Sequence, residues 1–362
     1  MKTKEKVAAS NQQEFSGNIF IFHAFDIGDD IDIEGIEASK KIQKEPLNLP
    51  KYFKNYHQPL QVELPHPHDT SSCMGVKLNS FGSLSLTYKI PFQDSFTDLK
   101  ETVDTLFDKY QEQSVSDAAT LFKKIKKYIK QPKFFHQHTA YLLIQLDASN
   151  DSISTENLKK EYGSTIASLL RFETEHLSAY QRNEILENDI GYYRGDLLIV
   201  DIDAAFVYDE EYEELLYLFE FANVQQVELK YFDRVLDRQL NAIYERKVKP
   251  FHWQTYLPFI GTKLGGDPVG ELGRLKVEIS VITEQLENSI KLAGEPYFSE
   301  IYSKLVEKLD LVGWQNGIDR KLDIIKDIRT VYQSKIVHIR EDLLTVAIIV
   351  LILVELIVAF LK

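Results

Sequence analysis

The feature that most constrains this chain is a nearly uninterrupted apolar run close to its C-terminal end. Across residues 343–361 only Thr345 and Glu355 are not apolar. At about 1.5 Å per residue, this run would form a helix of about 28 Å, which matches the hydrocarbon core of a bilayer. A buried helix of a soluble domain is usually shorter and polar on one face. The sequence therefore predicts a transmembrane helix over residues 343–361.

The charges around this run predict an orientation. Arg340 lies just before Leu343, where the helix would enter the membrane, and Lys362 alone follows the run. The excess of positive charge on the N-terminal side places residues 1–342 on the cytoplasmic side. Residues 1–17 are polar and lack the apolar core of a secretory signal, so we expect a disordered tail there. The chain is then a tail-anchored membrane protein.

Composition narrows the class of protein. Hydrophobic residues make up 44% of the chain, which is typical of a folded protein. With 42 Lys and Arg against 55 Asp and Glu, the formal net charge is −13, which argues against nucleic-acid binding through the whole surface. Cys73 is the single cysteine, so an intramolecular disulfide is excluded and a reducing compartment is favoured.

Strand and helix patterns mix in the first half of the chain. Short β-branched or alternating segments predict strands, and longer amphipathic segments predict helices. The predicted strands are 18–25, 61–64, 82–90, 139–146 and 197–202, and the predicted helices are 95–110, 116–130 and 154–162. Pro91 is expected to close the third strand. Residues 18–205 are thus predicted to form an α+β or α/β domain.

From about residue 206 the pattern becomes helical. Apolar residues recur every seven positions, which predicts one helix of about 40 residues: Leu215, Ala222, Leu229, Leu236 and Ile243. A further apolar stripe begins near Gly317 and runs into the membrane segment without a proline or glycine. Residues 206–342 are therefore predicted to form a helical bundle or coiled-coil stalk. Either the three upstream helices of the same chain cover the last apolar stripe or identical chains pack together, and the heptads alone do not choose between them. We expect a homo-oligomer.

The C-terminal part resembles a known family. The motifs Glu295-Pro296-Tyr297-Phe298, Ile301-Tyr302-Ser303-Lys304-Leu305 and Lys321-Leu322-Asp323 precede Arg340 and an apolar run with one glutamate. Here the chain is similar to the RMD/Sif family, named for a requirement in meiotic nuclear division. The resemblance implies a membrane-associated protein of unknown function with no established catalytic activity. Because a transit peptide is missing, it also implies a bacterial-type relative in the inner membrane.

Glu355 is the one ionisable side chain inside the predicted transmembrane helix. An ionised carboxylate near the bilayer centre costs about 2.5–3.5 kcal/mol, so this group should be protonated, paired, or turned toward another helix. One interpretation is an oligomer contact or a proton-linked site. The other is a neutral glutamic acid tolerated in a single helix.

Two sets of residues are weak candidates for metal ligands. His66 and His68 form one His-x-His pair, and His136 and His138 form another. On an extended strand this spacing places both imidazoles on one face, where they can chelate zinc. The second set, Asp201 and Asp203, follows a predicted strand and has the chemistry of a Mg²⁺ site, or of an acidic strand end before a helix. No cofactor is predicted.

Residues 121–130 combine an apolar side with a set of lysines: Lys123, Lys124, Lys126, Lys127 and Lys130. An amphipathic basic helix of this kind binds anionic lipid or RNA phosphates. The alternative is that the apolar side packs on a sheet while the lysines are solvated.

The sequence leads to one main functional hypothesis. We expect a non-enzymatic, tail-anchored scaffold or tether that contacts membrane lipid and presents a cytoplasmic α+β domain to a protein partner that the sequence does not name. One alternative is a metal-dependent hydrolase built on the histidine pairs or the Asp201 and Asp203 pair. Another is an RNA or ribosome tether that acts through residues 121–130.

Overall fold

A computed structural model describes residues 13–47, 58–64, 72–134, 138–147, 153–187, 189–191, 195–209, 211–246, 277, 279 and 296–361. The chain forms two compact units. The first comprises Met1–Leu229 and Leu286–Val312, and the second comprises Lys230–Gln285 and Gly313–Lys362. Residues outside the described ranges include His66, His68 and His136 of the predicted metal set.

The described strands and helices are as follows. The strands are β1 (Phe15–Asp26), β2 (Asp30–Ile31), β3 (Leu60–Val62), β4 (Cys73–Leu78), β5 (Ser83–Asp94), β6 (Ile129–Lys130), β7 (His138–Leu146), β8 (Asp189–Ile190), β9 (Leu197–Val200) and β10 (Ala204–Tyr208). The helices are α1 (Ile33–Ser39), α2 (Phe96–Ile125), α3 (Thr155–Leu170), α4 (Ala179–Leu186), α5 (Glu213–Arg246), α6 (Pro296–Lys308) and α7 (Leu311–Phe360), with a 3₁₀ turn at Lys126–Tyr128.

The first unit is built on one mixed sheet. Its strand order is β3-β4-β5-β1-β7-β10-β9-β8, and β2 pairs with β6 in a separate two-stranded sheet. β10 runs parallel to β7, while the other described pairs are antiparallel. α1 to α4 lie between strands, and the elements described after β10 are helices. The coarse prediction of an α+β N-terminal region followed by helices is therefore confirmed.

Helices cover both faces of this sheet. Ile19, Ile21 and Phe25 alternate along β1 and enter the core cluster together with residues of α2 and α3. On the opposite face, the ring of Phe219 in α5 lies 5.6 Å from that of Tyr141 in β7. Because successive strand side chains point to opposite faces, a strand covered on both sides is apolar throughout. This explains why residues 18–25 lack the alternation of a half-exposed strand.

Several predicted boundaries are wrong. Helix α2 runs without a break from Phe96 to Ile125, whereas two helices were predicted there, over 95–110 and 116–130. The intervening residues include no proline or glycine to end it. Residues 15–17 belong to β1 and not to a disordered tail, because Phe15 is buried and stacks on Phe96 with 4.4 Å between ring centroids.

Five of the described strands were not predicted, and the expectation that Pro91 closes the third predicted strand was wrong. β5 continues through Pro91, which pairs with Asn18 of β1. On the side of β5 that faces away from β1, the described pairing with β4 ends at Tyr88. Pro91 therefore lies at an edge of the described sheet, where a proline is tolerated. The strands that were not predicted are β4, β10 and the two-residue strands β2, β6 and β8. β10 is short and wholly buried, so it shows no alternation.

The second unit contains the C-terminal half of α5 and most of α7. Within it, Lys321 Nζ lies 2.6 Å from Asp233 Oδ1 and 2.6 Å from Asp237 Oδ1, which links the two helices. α7 has 50 residues and is therefore about 75 Å long. The long helices are confirmed. Their assembly into a coiled-coil stalk stays a prediction.

Candidate functional site

The basic segment predicted as one helix divides into three elements. α2 ends at Ile125, a 3₁₀ turn follows, and Ile129–Lys130 forms β6. Its apolar side chains enter the core, and its lysines are exposed. We call the exposed group the lysine surface: Lys123, Lys124, Lys126, Lys127 and Lys130. The alternative interpretation, an apolar side packed inward with solvated lysines, describes this local structure.

The lysine surface carries positive charge in an acidic protein. The sequence has no Asp or Glu from residue 118 to residue 146. Lys127 Nζ lies 4.3 Å from the ring centroid of Tyr128. The pKa of the Tyr128 hydroxyl is lowered, mainly by a hydrogen bond with Lys127 and secondly by one with Ser39. The surface therefore combines ammonium groups with an aromatic ring, which is the chemistry that binds phosphates.

Asp201 forms ion pairs with two basic residues of the first unit. Its side chain is fully buried, with Oδ2 2.5 Å from Arg171 Nε and Oδ1 3.6 Å from Lys308 Nζ. Burial raises the pKa of this carboxyl, while the two cations oppose that shift. Arg171 caps α3 and Lys308 ends α6, so Asp201 joins these helices to the turn between β9 and β10.

Asp203 has a different environment from Asp201, because its side chain is exposed to solvent. A carboxylate that already binds two cations is a poor ligand for Mg²⁺, which needs several available oxygens. In the part of the chain that the structure describes, no group of three or more His, Cys, Asp or Glu is arranged to hold a metal ion. The geometry at Asp201 and Asp203 therefore does not favour the hydrolase alternative.

Of the four histidines in the two predicted pairs, the structure describes His138, and this residue lies next to His23. His138 is partly buried at the start of β7, and its ring centroid lies 5.2 Å from that of His23 in β1. His23 is 0% exposed, and neither ring nitrogen has a hydrogen-bond partner among the described residues. Burial, and secondarily His138, lowers the pKa of His23 to about 3. The sequence signal that could have identified His23 is a single histidine inside a segment with the pattern of a buried strand.

Buried acids on α5 were also missed. Glu220 accepts a hydrogen bond from Ser85 and forms an ion pair with Lys77 of β4, and Lys77 Nζ lies 4.1 Å from the ring centroid of Tyr217. Glu228, two turns further on, is 2% exposed. Burial and the nearby Asp26 and Asp29 carboxylates raise its pKa well above the usual value. A buried acid inside a heptad pattern is easily mistaken for a solvated position.

The C-terminal candidates all lie on α7. Glu341–Phe360 is long and apolar enough to cross a membrane, and none of its apolar stretch is buried inside the chain. Leu343 and Glu355 are exposed on this segment, whereas the side chain of Arg340 lies outside the described side chains. The oligomer or proton-linked role of Glu355 stays a prediction.

Two comparisons with known proteins find similarity. A family model described as "Uncharacterized protein MJ0711, N-terminal domain" matches residues 16–214, which hold the sheet and the start of α5. The uncharacterized protein MJ0711 of Methanocaldococcus jannaschii is 27% identical over 247 residues, covering 67% of this chain and 72% of that protein. No solved structure matches.

These comparisons overturn the resemblance to the RMD/Sif family, which was wrong. The family match covers the α+β region, and the relative is archaeal, so the expectation of a bacterial-type protein was also wrong. The motifs used were short and lie mostly on α6 and α7, where the amphipathic pattern of long helices makes unrelated sequences look alike.

Proposed function

The chain belongs to the family defined by the N-terminal domain of uncharacterized protein MJ0711, and on that premise we propose that it is a membrane-anchored tether. Its α+β unit would be the part presented to a partner, and the C-terminal part of α7 would be the anchor. The role is a binding role and needs no catalytic group. The same proposal includes self-association through α7, because apolar side chains of this helix that lie outside the bilayer would be shielded from water by a second copy of the chain.

One observation carries this proposal. The apolar stretch within Glu341–Phe360 has none of its surface buried, although it is the most hydrophobic part of the chain. Large exposed apolar surfaces are rare in water and mark contact with a membrane or another protein. Every backbone group within a helix is satisfied internally, as a lipid environment demands. The helix is also continuous with the polar part of α7.

Membrane extraction tests this proposal. Expressed in an archaeal or bacterial host, the full-length protein should stay in the membrane pellet after washing with high salt and alkaline carbonate, and should be released by detergent. A variant that ends before Glu341 should move to the supernatant and still unfold cooperatively, which shows that the rest of the chain stays folded. Release of the full-length protein by carbonate would refute the anchor, because carbonate removes peripheral proteins and leaves transmembrane helices in place.

A second candidate function is binding of RNA or the ribosome through the lysine surface, which its exposure and local positive charge favour. We expect the Lys123→Gln/Lys127→Gln double variant to bind a single-stranded RNA less tightly, with the salt slope reduced by about 1.4 for two lost phosphate contacts. Lys109→Gln/Lys160→Gln removes two exposed lysines elsewhere in the same unit and serves as the control. Equal effects from both double variants would contradict a specific surface.

A further inference from the structure

Glu355 is an acid on the apolar stretch of α7 without a partner in its own chain. In the part of the chain that the structure describes, its side chain forms no hydrogen bond and no ion pair, and it is exposed. Residues 343–361 include no Lys, Arg or His that could neutralise it. Inside a bilayer, ionisable side chains face another helix or a water-filled cavity. Glu355 therefore points to a second helix.

The spacing along α7 defines the face on which Glu355 lies. Side chains that alternate three and four residues apart share one face of a helix and form the contact line of a coiled coil. We call the set that contains Glu355 the Glu355 face: Thr345, Ile348, Ile352, Glu355 and Ala359. Both residues of the run that are not apolar lie on it. The small side chain of Ala359 lets two helices approach closely.

The same heptad continues toward the N-terminal end of α7. Steps of seven residues back from Thr345 reach His338, Val331 and Ile324. Val331 is 66% exposed and Ile324 is 47% exposed, whereas Ile318, on another side of α7, is buried. Large apolar side chains that lie exposed in a row mark an interaction surface. The Glu355 face and these exposed positions therefore form one line along α7, and a strict seven-residue repeat is typical of helices that pair with a left-handed supercoil.

We propose that two copies of this chain pair in parallel through the Glu355 face, with the carboxyl group of Glu355 in one copy hydrogen-bonded to the same group in the other. This inference rests on the proposed function, because it requires α7 to lie in the bilayer. Two copies inserted with the same orientation have parallel helices. Under two-fold symmetry, equivalent residues on the contact line then meet at the same depth.

The chemistry of the carboxyl group favours a second copy over an unrelated helix. A protonated carboxylic acid has one O–H donor and a carbonyl acceptor, so it is complementary to itself. Two such groups that face each other exchange two hydrogen bonds and remove their polar atoms from lipid. The cost of an ionised carboxylate near the bilayer centre already favours the protonated form. A single acid that faces lipid would leave its donor unsatisfied and would not account for the exposed Ile324 and Val331.

Disulfide crosslinking of the full-length protein in its membrane tests the contact line. Cys73→Ser removes the single native cysteine, and Ile352→Cys then places one thiol on the Glu355 face. With a membrane-permeant oxidant, this variant should form a disulfide-linked homodimer, because the two thiols meet across the two-fold axis. Val350→Cys in the same background is the matched control. It lies at a similar depth on the opposite side of α7 and should remain monomeric.

Substitution of Glu355 tests the hydrogen bonds. In detergent, Glu355→Leu should raise the dissociation constant of the dimer about tenfold, because both interhelical hydrogen bonds are lost. Glu355→Gln should stay close to the wild type, since a carboxamide also donates and accepts. Sedimentation equilibrium of the three full-length proteins measures this effect. Leucine makes the helix more apolar, so the variant should remain in the membrane.

Each outcome supports or overturns the pairing. Equal crosslinking of Ile352→Cys and Val350→Cys, a crosslinked product that contains a different protein, or a Glu355→Leu dimer as tight as the wild type would overturn it. Carbonate extraction of the same membranes separates this result from the anchor. A chain that stays in the pellet but does not crosslink at position 352 would overturn the pairing alone, whereas a chain released by carbonate would overturn both proposals.

Discussion

At about pH 4, the His23→Leu protein is expected to be more stable than the wild type, by on the order of 3 kcal/mol relative to their difference at pH 7. His23 is buried among Tyr88, Phe107 and His138, and its pKa is lowered to about 3 from an unfolded value of 6.5. As the pH falls below 6.5, the unfolded chain takes up the proton first. Wild-type stability is therefore lost progressively between pH 6.5 and pH 3.

Urea unfolding of both proteins in detergent between pH 7 and pH 4 measures this effect. At pH 7 the leucine variant should be no less stable, because it removes two buried ring nitrogens that lack partners. His176→Gln is the control, because His176 is exposed and should leave the pH dependence unchanged. A difference between wild type and His23→Leu that stays constant from pH 7 to pH 4 would contradict the buried neutral imidazole.

Gly82→Ala should destabilise the protein by about 4 kcal/mol, the sum of backbone strain and an overpacked contact. Gly82 has φ +110°, a conformation that L side chains rarely adopt. A Cβ at this position would lie 1.8 Å from Gly28 O, and a backbone atom cannot move aside as a flexible side chain can. The loop after β1 and the β4–β5 turn would have to separate.

Gly195→Ala is the matched control for this substitution. Among the described residues, no heavy atom lies within 4 Å of a Cβ built at Gly195, so the unfolding free energy of Gly195→Ala should differ from that of the wild type by no more than about 0.5 kcal/mol. Chemical denaturation with both variants in the same detergent gives the comparison. Equal stabilities for the two variants would mean that the loop and the turn do not meet as described.

Part of this architecture follows from local pattern. The long helices α5 and α7 were predicted because apolar positions repeat at helical spacing over many turns, and the apolar end of α7 was evident from composition. β1, β5 and β7 were predicted from their β-branched and aromatic residues. Short, wholly buried β10 was not, because a segment covered on both faces carries no alternation.

The chemistry of the interior needed the tertiary structure. Asp201 and Asp203 are the same residue type two positions apart, yet one is buried beside Arg171 and Lys308 and the other is exposed. Arg171 and Lys308 are distant in the sequence, and no local pattern predicts that they meet at one carboxylate.

The sequence by itself determined that the chain has an α+β region followed by long helices, and that it ends in a helix apolar enough to enter a bilayer. Those properties depend on residues near one another along the chain, where spacing and hydrophobicity act directly. Only the tertiary structure decided which acids are neutralised, which histidine is buried without partners, and which lysines remain exposed. Those properties depend on long-range contacts, because burial and neighbouring charge set the energy of each ionisable group.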